Sequence, residues 1–243
     1  HSKHMTYWEG AIETTGIADP VPVVAALTDS SPIGRFYRPG PIVTVVDAVN
    51  GAADLERHSE SRRQVQLADR IVISKSDLAS DPASRHDLKM LREALARLNP
   101  LAVVEDVHDG GFDPLATFAA DPTQADLRAT RLAGLADDDD GVRSNRSGNH
   151  LDGTGAYAFS WTEPMPVAAV EAGLRALVAK FGSRILRAKG LVRTVDRPAE
   201  PMVVQLVGVL ISPCERLPGW PAGSAASHLV VIAEGVGRAE IAA

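Results

Sequence analysis

Asp-Arg-Ile-Val-Ile-Ser-Lys-Ser-Asp-Leu, residues 69–78, is the stretch on which the reading of this chain turns. Ile71, Val72 and Ile73 form a short apolar run that stops at Ser74. A run of this kind marks a buried strand of a parallel sheet. Such a strand delivers Ser74-Lys75-Ser76-Asp77 to its carboxyl end, where open α/β sheets place their ligands. A carboxylate held there can accept two hydrogen bonds from an N–H/NH2 edge such as that of guanine. A neighbouring lysine stem can lie over a purine face while its charge stays wet. The same four residues also fit the solvated end of an ordinary strand, so alone they decide only the fold.

A second stretch narrows the reading. Ala11-Ile12-Glu13-Thr14-Thr15-Gly16 supplies a short apolar approach, read as a first strand, then a carboxylate, two hydroxyls and a glycine. A carboxylate at a strand end can hold Mg2+ directly or through water. A glycine lets its backbone N–H approach a terminal phosphate closely. The interval from Glu13 to Lys75 is long enough for two βα units. With Glu13-Thr14-Thr15-Gly16-Ile17-Ala18-Asp19-Pro20, Val45-Val46-Asp47-Ala48, Gln64 ahead of Ala68-Asp69, and Ser74-Lys75-Ser76-Asp77-Leu78 in this order, the chain resembles the CobW-type GTPases, relatives of the urease and hydrogenase maturation GTPases.

The resemblance implies an α/β fold: an incomplete P-loop GTPase-like parallel sheet with helices, plus a smaller C-terminal α+β domain. It implies GTP and Mg2+ as ligands. Asp77 would then recognise guanine and Lys75 would pack against the base. Glu13 would serve Mg2+ and the hydrolytic site, and Gly16 the γ-phosphate. Ser74 stands where the family more often has Asn, one hydroxyl in place of a longer amide that ties neighbouring loops together. The implied activity is slow GTP hydrolysis coupled to delivery of a metal, Zn2+ or Co2+, to a metal-dependent client protein, with a link to cobalamin biosynthesis among the family's roles. The other reading is a non-catalytic module that docks to a client without turnover.

What separates the two readings is the phosphate-binding loop. The family carries it upstream of the Glu-x-x-Gly element, together with a Cys-x-Cys-Cys metal motif. No G-x-x-x-x-G-K-[ST] occurs in these 243 residues, and the first residue is His. The expectation is a truncated form with no measurable GTPase activity. Without the loop's Lys and ring of N–H donors, GTP affinity should be no better than about millimolar. An incomplete sheet should also leave an open edge and a tendency to self-associate.

Composition agrees with a folded protein: 45% of residues are hydrophobic and 23% charged. The length suits one or two domains. A net charge of −6 gives no field that favours nucleic acid or an anionic membrane. Nowhere is there a run of about 18 apolar residues, and no signal-peptide pattern opens the chain. Cys214 is the single cysteine, which excludes an intrachain disulfide. The expected compartment is cytoplasmic.

Three regions follow. Residues 1–120 read as the partial GTPase domain. Within it, Asp19-Pro20 opens a short helix over 21–27, a strand over 42–46 ends at Asp47, and a polar helix covers 55–67. Asp47 reads as a turn or cap residue, or as a carboxylate near Mg2+. Arg62 and Arg63 read as a solvated face, and Gln64 has no assigned role. Asp81-Pro82 opens a helix with Leu88, Leu91, Leu95 and Leu98 on one stripe, and Asn99-Pro100 ends it. A strand over 101–104 leads to a loop in which His108 reads as an exposed residue or a ligand. Residues 121–153 read as an acidic linker, in which Asp137 to Asp140, His150 and Asp152 are solvated or attract a divalent cation.

Residues 154–243 read as the α+β domain: a strand over 157–161, a helix over 166–181 capped by Gly182, strands over 185–195, 202–211 and 228–233, and a tail helix. Family-like features here are Leu186-Arg187-Ala188-Lys189-Gly190, Val204-Gln205, Trp220-Pro221 and Leu229-Val230-Val231-Ile232. Arg187, Lys189 and Arg193 share a parity that suggests a solvated charged face, or an anion or partner site. Cys214 reads as passive or as a metal thiolate.

Overall fold

The structure, a computed structural model, describes residues 10–16, 18–27, 40–118, 153–221 and 226–243. Residues 121–152, and with them the linker and its acidic run, lie outside the described residues.

Three parallel strands, β1 (Val43–Asp47), β2 (Arg70–Ser74) and β3 (Val103–Asp106), lie in the order β1-β2-β3. β2 is the centre, and its first four residues are all buried. Helix α1 (Val21–Ala26) precedes β1, α2 (Gly51–Arg57) and α3 (Ser59–Leu67) join β1 to β2, α4 (Pro82–Leu98) joins β2 to β3, and α5 (Pro114–Phe118) follows. Asp81 caps α4 through the Ala83 and Ser84 N–H groups at 2.8 and 3.1 Å, and Pro82 takes the first helical position. The leucine stripe does what its spacing predicts. Leu91 and Leu95 are fully buried against Val46, Ile71 and Ile73, with Leu88 and Leu98 packed at the margin. Each buried leucine contributes about 1.5–3 kcal/mol of apolar transfer.

The polar helix expected over 55–67 is two helices. His58 takes an extended conformation between them. Arg62 makes the break tolerable: its guanidinium donates to the Leu55 and Glu56 carbonyls at 2.6 and 3.1 Å, groups that the end of α2 leaves open. Arg62 is therefore buried, not part of a solvated face. Gly51 starts α2 so close to β1 that a Cβ there would stand 2.6 Å from Val46 Cγ1.

The second sheet has six strands. β4 (Thr154–Trp161), β9 (Ser227–Glu234), β5 (Ile185–Val192), β6 (Met202–Val207) and β7 (Leu210–Ile211) run in the order β4-β9-β5-β6-β7, with β8 (Glu215–Arg216) also on β6. All its named strand pairs are antiparallel. α6 (Val167–Phe181) covers one face with Val170, Leu174 and Phe181, and Gly182 ends it at φ 58°. The run over 202–211 is a hairpin, turned at Gly208 with φ 56°. α7 (Arg238–Ala242) closes the chain.

The charged parity of β5 is a correction. All eight residues of β5 are buried. A bulge at Leu186 lies between the Ile185–Ala233 and Arg187–Ile232 pairs. Leu186 packs with Leu67 and Leu101 of the first sheet's layer, and Arg187 donates to the Leu67 carbonyl and to Asp69. Lys189 donates to the same Asp69 carboxylate. Arg187 and Lys189 face a buried acid 118 and 120 residues away rather than solvent. Arg193 lies just beyond β5 and is half-buried.

Candidate functional site

The carboxyl ends of the three parallel strands converge. Asp47 pairs in register with Ser74, and Ile73 with Asp106. Directly after β2, Lys75 has φ 60° and ψ 23°, and among the described residues it is the non-glycine residue with positive φ. A left-handed lysine costs about 1–2 kcal/mol. Surrounding bonds hold it there. The Ala48 N–H donates to the Ser74 carbonyl at 2.9 Å, and Lys75 Nζ donates to Asp47 Oδ2 at 2.5 Å. Ser76 to Leu78 then form one 3-10 turn, which leaves Asp77 exposed.

Asp47 is a turn residue and also the partner of Lys75. Its Oδ1 accepts from Val49 and Asn50 N–H at 2.7 and 3.2 Å. The Lys75 ammonium, aided by these amides and opposed by partial burial, holds its carboxyl well below the usual range, at about 2. A depressed folded-state value contributes stability that is complete above the unfolded value near 4 and fades as pH falls towards 2. Lys75 is more than half exposed, so solvent keeps this contribution to about 1 kcal/mol. Asp47→Asn is expected to lower unfolding free energy by about that amount at pH 7, with the difference from wild type narrowing below pH 4 in urea titrations.

Asp106 closes the other side. Although nearly buried, it takes Ser76 Oγ on Oδ1 at 2.5 Å, the His108 N–H on Oδ1 at 3.0 Å, and the Arg92 guanidinium on Oδ2. His108 turns back so that its Nε2 lies 2.8 Å from Asp77 Oδ1. Among the described residues, Ser74 Oγ donates to the Val46 carbonyl alone, at 3.4 Å. Sequence reading missed Asp106; its signal is its position as the last residue of a strand beside Ile73.

Glu13 and Gly16 sit elsewhere. Residues 10–16 are irregular and exposed rather than a strand. Two apolar residues, Ala11 and Ile12, offer too little side chain to bury, and no strand pairs with them among the described residues. What fixes the segment is Gln64 of α3. Its Nε2 donates to the Gly16 and Ala18 carbonyls at 3.0 and 2.9 Å. Arg63 beside it pairs with Asp19 at 2.9 Å and approaches Glu234 of β9 at 4.0 Å, so it too is engaged rather than solvated. Open space surrounds Gly16: a Cβ would meet nothing within 4 Å. Among the described residues, no hydrogen bond or ion pair joins this segment to the Ser74–Asp77 turn.

Among the described residues, no group of three or more His, Cys, Asp or Glu is arranged to hold a metal. Cys214 is half-buried, and burial pushes its thiol up. No described helix is long and apolar enough to cross a membrane.

The family model for the CobW/HypB/UreG nucleotide-binding domain matches residues 11–105, and that for the cobalamin synthesis protein cobW C-terminal domain matches residues 155–243. The chain belongs to the CobW family. The zinc chaperone YjiA of Escherichia coli (strain K12) is 32% identical over 102 residues, which are 42% of this chain and 30% of that protein. The crystal structure of Zn(II)-bound YjiA GTPase from E. coli superposes with a TM-score of 0.64 at 22% identity, over 93% of this chain and 66% of that one. A Zn(II)-bound triple mutant of YjiA GTPase gives 0.65 at 22% identity with the same coverage. The mixed α/β architecture of this CobW chain is therefore that of the YjiA fold. The chain spans about two thirds of those solved chains and the match covers under a third of the curated relative's length.

Proposed function

We propose that this CobW chain carries the base-recognition half of a guanine-nucleotide site belonging to a GTP-hydrolysing metallochaperone. The observation that supports it best is the Ser74–Asp77 turn. A strained lysine and an exposed carboxylate stand at the carboxyl end of the central parallel strand, where α/β sheets bind ligands. Asp77 would accept the N1–H and N2–H2 of guanine, Lys75 would lie over the ring, and Ser74 would support the turn. Glu13, an exposed hard oxygen ligand, fits Mg2+ held with the nucleotide, and the open space where a Cβ of residue 16 would stand leaves room for a γ-phosphate to approach Gly16. Bound Mg2+ would neutralise charge on the phosphates. Zn2+ or Co2+ is the proposed cargo and a metal-dependent client the proposed recipient, in the cytoplasm.

The proposal also divides the chain into residues 1–120, a linker over 121–153, and residues 154–243. Exposed Val45 on β1 supports association of the sheet with another apolar surface. The test is an NMR titration of the 243-residue chain with GTP and ATP in Mg2+, a method that reads millimolar affinities. Shifts should centre on residues 74–77, with GTP favoured. Asp77→Asn should cut that preference about 10- to 100-fold, the scale of a hydrogen-bonded charge lost at 1.5–3 kcal/mol. A preference that survives the substitution would remove Asp77 from the base site.

A further inference from the structure

We infer that His108 is a positioning residue for base selection: its imidazole fixes the Asp77 carboxylate in the orientation that guanine needs. The inference rests on the base-site reading of Asp77 and goes beyond it.

Asp77 is 53% exposed and sits on a single 3-10 turn. Left to itself, a carboxylate so placed turns freely in water. A ligand that needs both oxygens in one plane must then stop that rotation on binding. In this structure a neighbouring side chain already limits that rotation. His108 Nε2 lies 2.8 Å from Asp77 Oδ1, within ion-pair distance, so the imidazole stands against one oxygen of the carboxylate. Two oxygens offer about four lone-pair directions. A guanine edge uses one on each oxygen, so the contact with His108 is compatible with a bound base.

His108 is itself held. Its backbone N–H donates to Asp106 Oδ1 at 3.0 Å, and the same oxygen accepts Ser76 Oγ at 2.5 Å. The Arg92 guanidinium engages the other oxygen of Asp106. One nearly buried carboxylate at the end of β3 thus ties the turn that carries Asp77 to the loop that carries His108. The imidazole completes a closed ring running Asp106, Ser76, Asp77, His108 and back to Asp106. A ring closed through two loops pre-organises the carboxylate.

The test compares guanine and adenine nucleotides on the same protein. GTP and ATP are titrated into the 243-residue chain and into His108→Ala, His108→Gln and Asp77→Asn, followed by NMR. His108→Ala should lower the GTP:ATP preference about fivefold, the upper end for one exposed polar pair, and leave ATP binding as it was. His108→Gln keeps an N–H donor of similar reach and should restore most of the preference. A residue that only supported the loop would weaken both nucleotides together, and that outcome overturns the inference. So does an unchanged preference in His108→Ala when Asp77→Asn loses it, a result that leaves the base-site reading standing. Indifference of the preference to both substitutions overturns the base-site reading and this inference with it.

Discussion

Asp69→Asn should cost about 3–5 kcal/mol of unfolding free energy, a large share of what a domain of this size has. Asp69 is 5% exposed, Arg187 0% and Lys189 7%, and both cations donate to the one Asp69 oxygen. The other oxygen accepts the Ile42 N–H at 3.0 Å. An asparagine keeps the shape and removes the charge, so a buried guanidinium and a buried ammonium would face a neutral amide in place of the carboxylate. The desolvation of Arg187 and Lys189, already incurred in the fold, would then have less to offset it.

The damage should not be local. Asp69 stands at the entry of β2, and Arg187 and Lys189 belong to the central strand of the other sheet. Around the ion cluster, Leu67 and Leu101 pack with Leu186, Val207, Val230 and Ile232. Asp69→Asn is therefore expected to loosen the junction between the two sheets. In urea, the wild type should unfold in one transition and the variant in two, as read by tryptophan fluorescence and circular dichroism. Replacing all three groups together, Asp69→Leu with Arg187→Leu and Lys189→Met, should recover most of the loss, because apolar residues incur no charge desolvation. A cost under about 1 kcal/mol for Asp69→Asn would mean that water or another group shields the cations.

These polar anchors explain which parts of the molecule the sequence could reveal. Ile71 to Ile73, the Leu88–Leu98 stripe, Asp81 with Pro82, and Gly182 all write their structure locally, in period, cap or turn chemistry. The position of the Ser74–Asp77 turn was legible for the same reason, since a buried apolar run must end where the chain leaves the sheet. The alternation of Arg187 and Lys189 was legible too, but its meaning was not. A charged parity on a strand normally faces water, and only a distant acid delivered by the other sheet reverses that. Gln64 has the same history. Its role needs the carbonyls of Gly16 and Ala18, 48 and 46 residues earlier, to be brought beside α3. Nor does anything local announce the left-handed backbone of Lys75, or the break at His58 that Arg62 supports.

Asn99 is the strongest case, and its loss should be as severe as that of Asp69. On sequence it ends α4 ahead of Pro100. In the structure it is fully buried. Its Nδ2 donates to the Val65, Gln66 and Ala68 carbonyls at 2.7, 3.2 and 2.8 Å. Its Oδ1 accepts from the Leu101 and Ala102 N–H groups, each at 3.1 Å. One amide thus satisfies the end of α3 and the approach to β3 at once. Both are buried, and the backbone bonds that also reach them, from the Ala68 N–H to the Val65 carbonyl and from the Ala102 N–H to the Asn99 carbonyl, are long at 3.3 and 3.4 Å. Asn99→Leu would strand several of them at about 1–3 kcal/mol each, and a net loss of about 3–5 kcal/mol is expected after local relaxation. Asn99→Asp should be no milder, because a carboxylate would face three carbonyl oxygens without a hydrogen to offer. Urea unfolding measures the loss. Amide exchange locates it: protection should fall first at residues 65–70 and 101–104, the entries of β2 and β3, before it falls in β5. If Asn99→Asp matched the wild type in stability, the donation to the α3 carbonyls could not be what holds this junction. The consequence reaches the other end of the strands, because Ile73 and Asp106 keep their register through β2 and β3, whose starting points this amide helps to set.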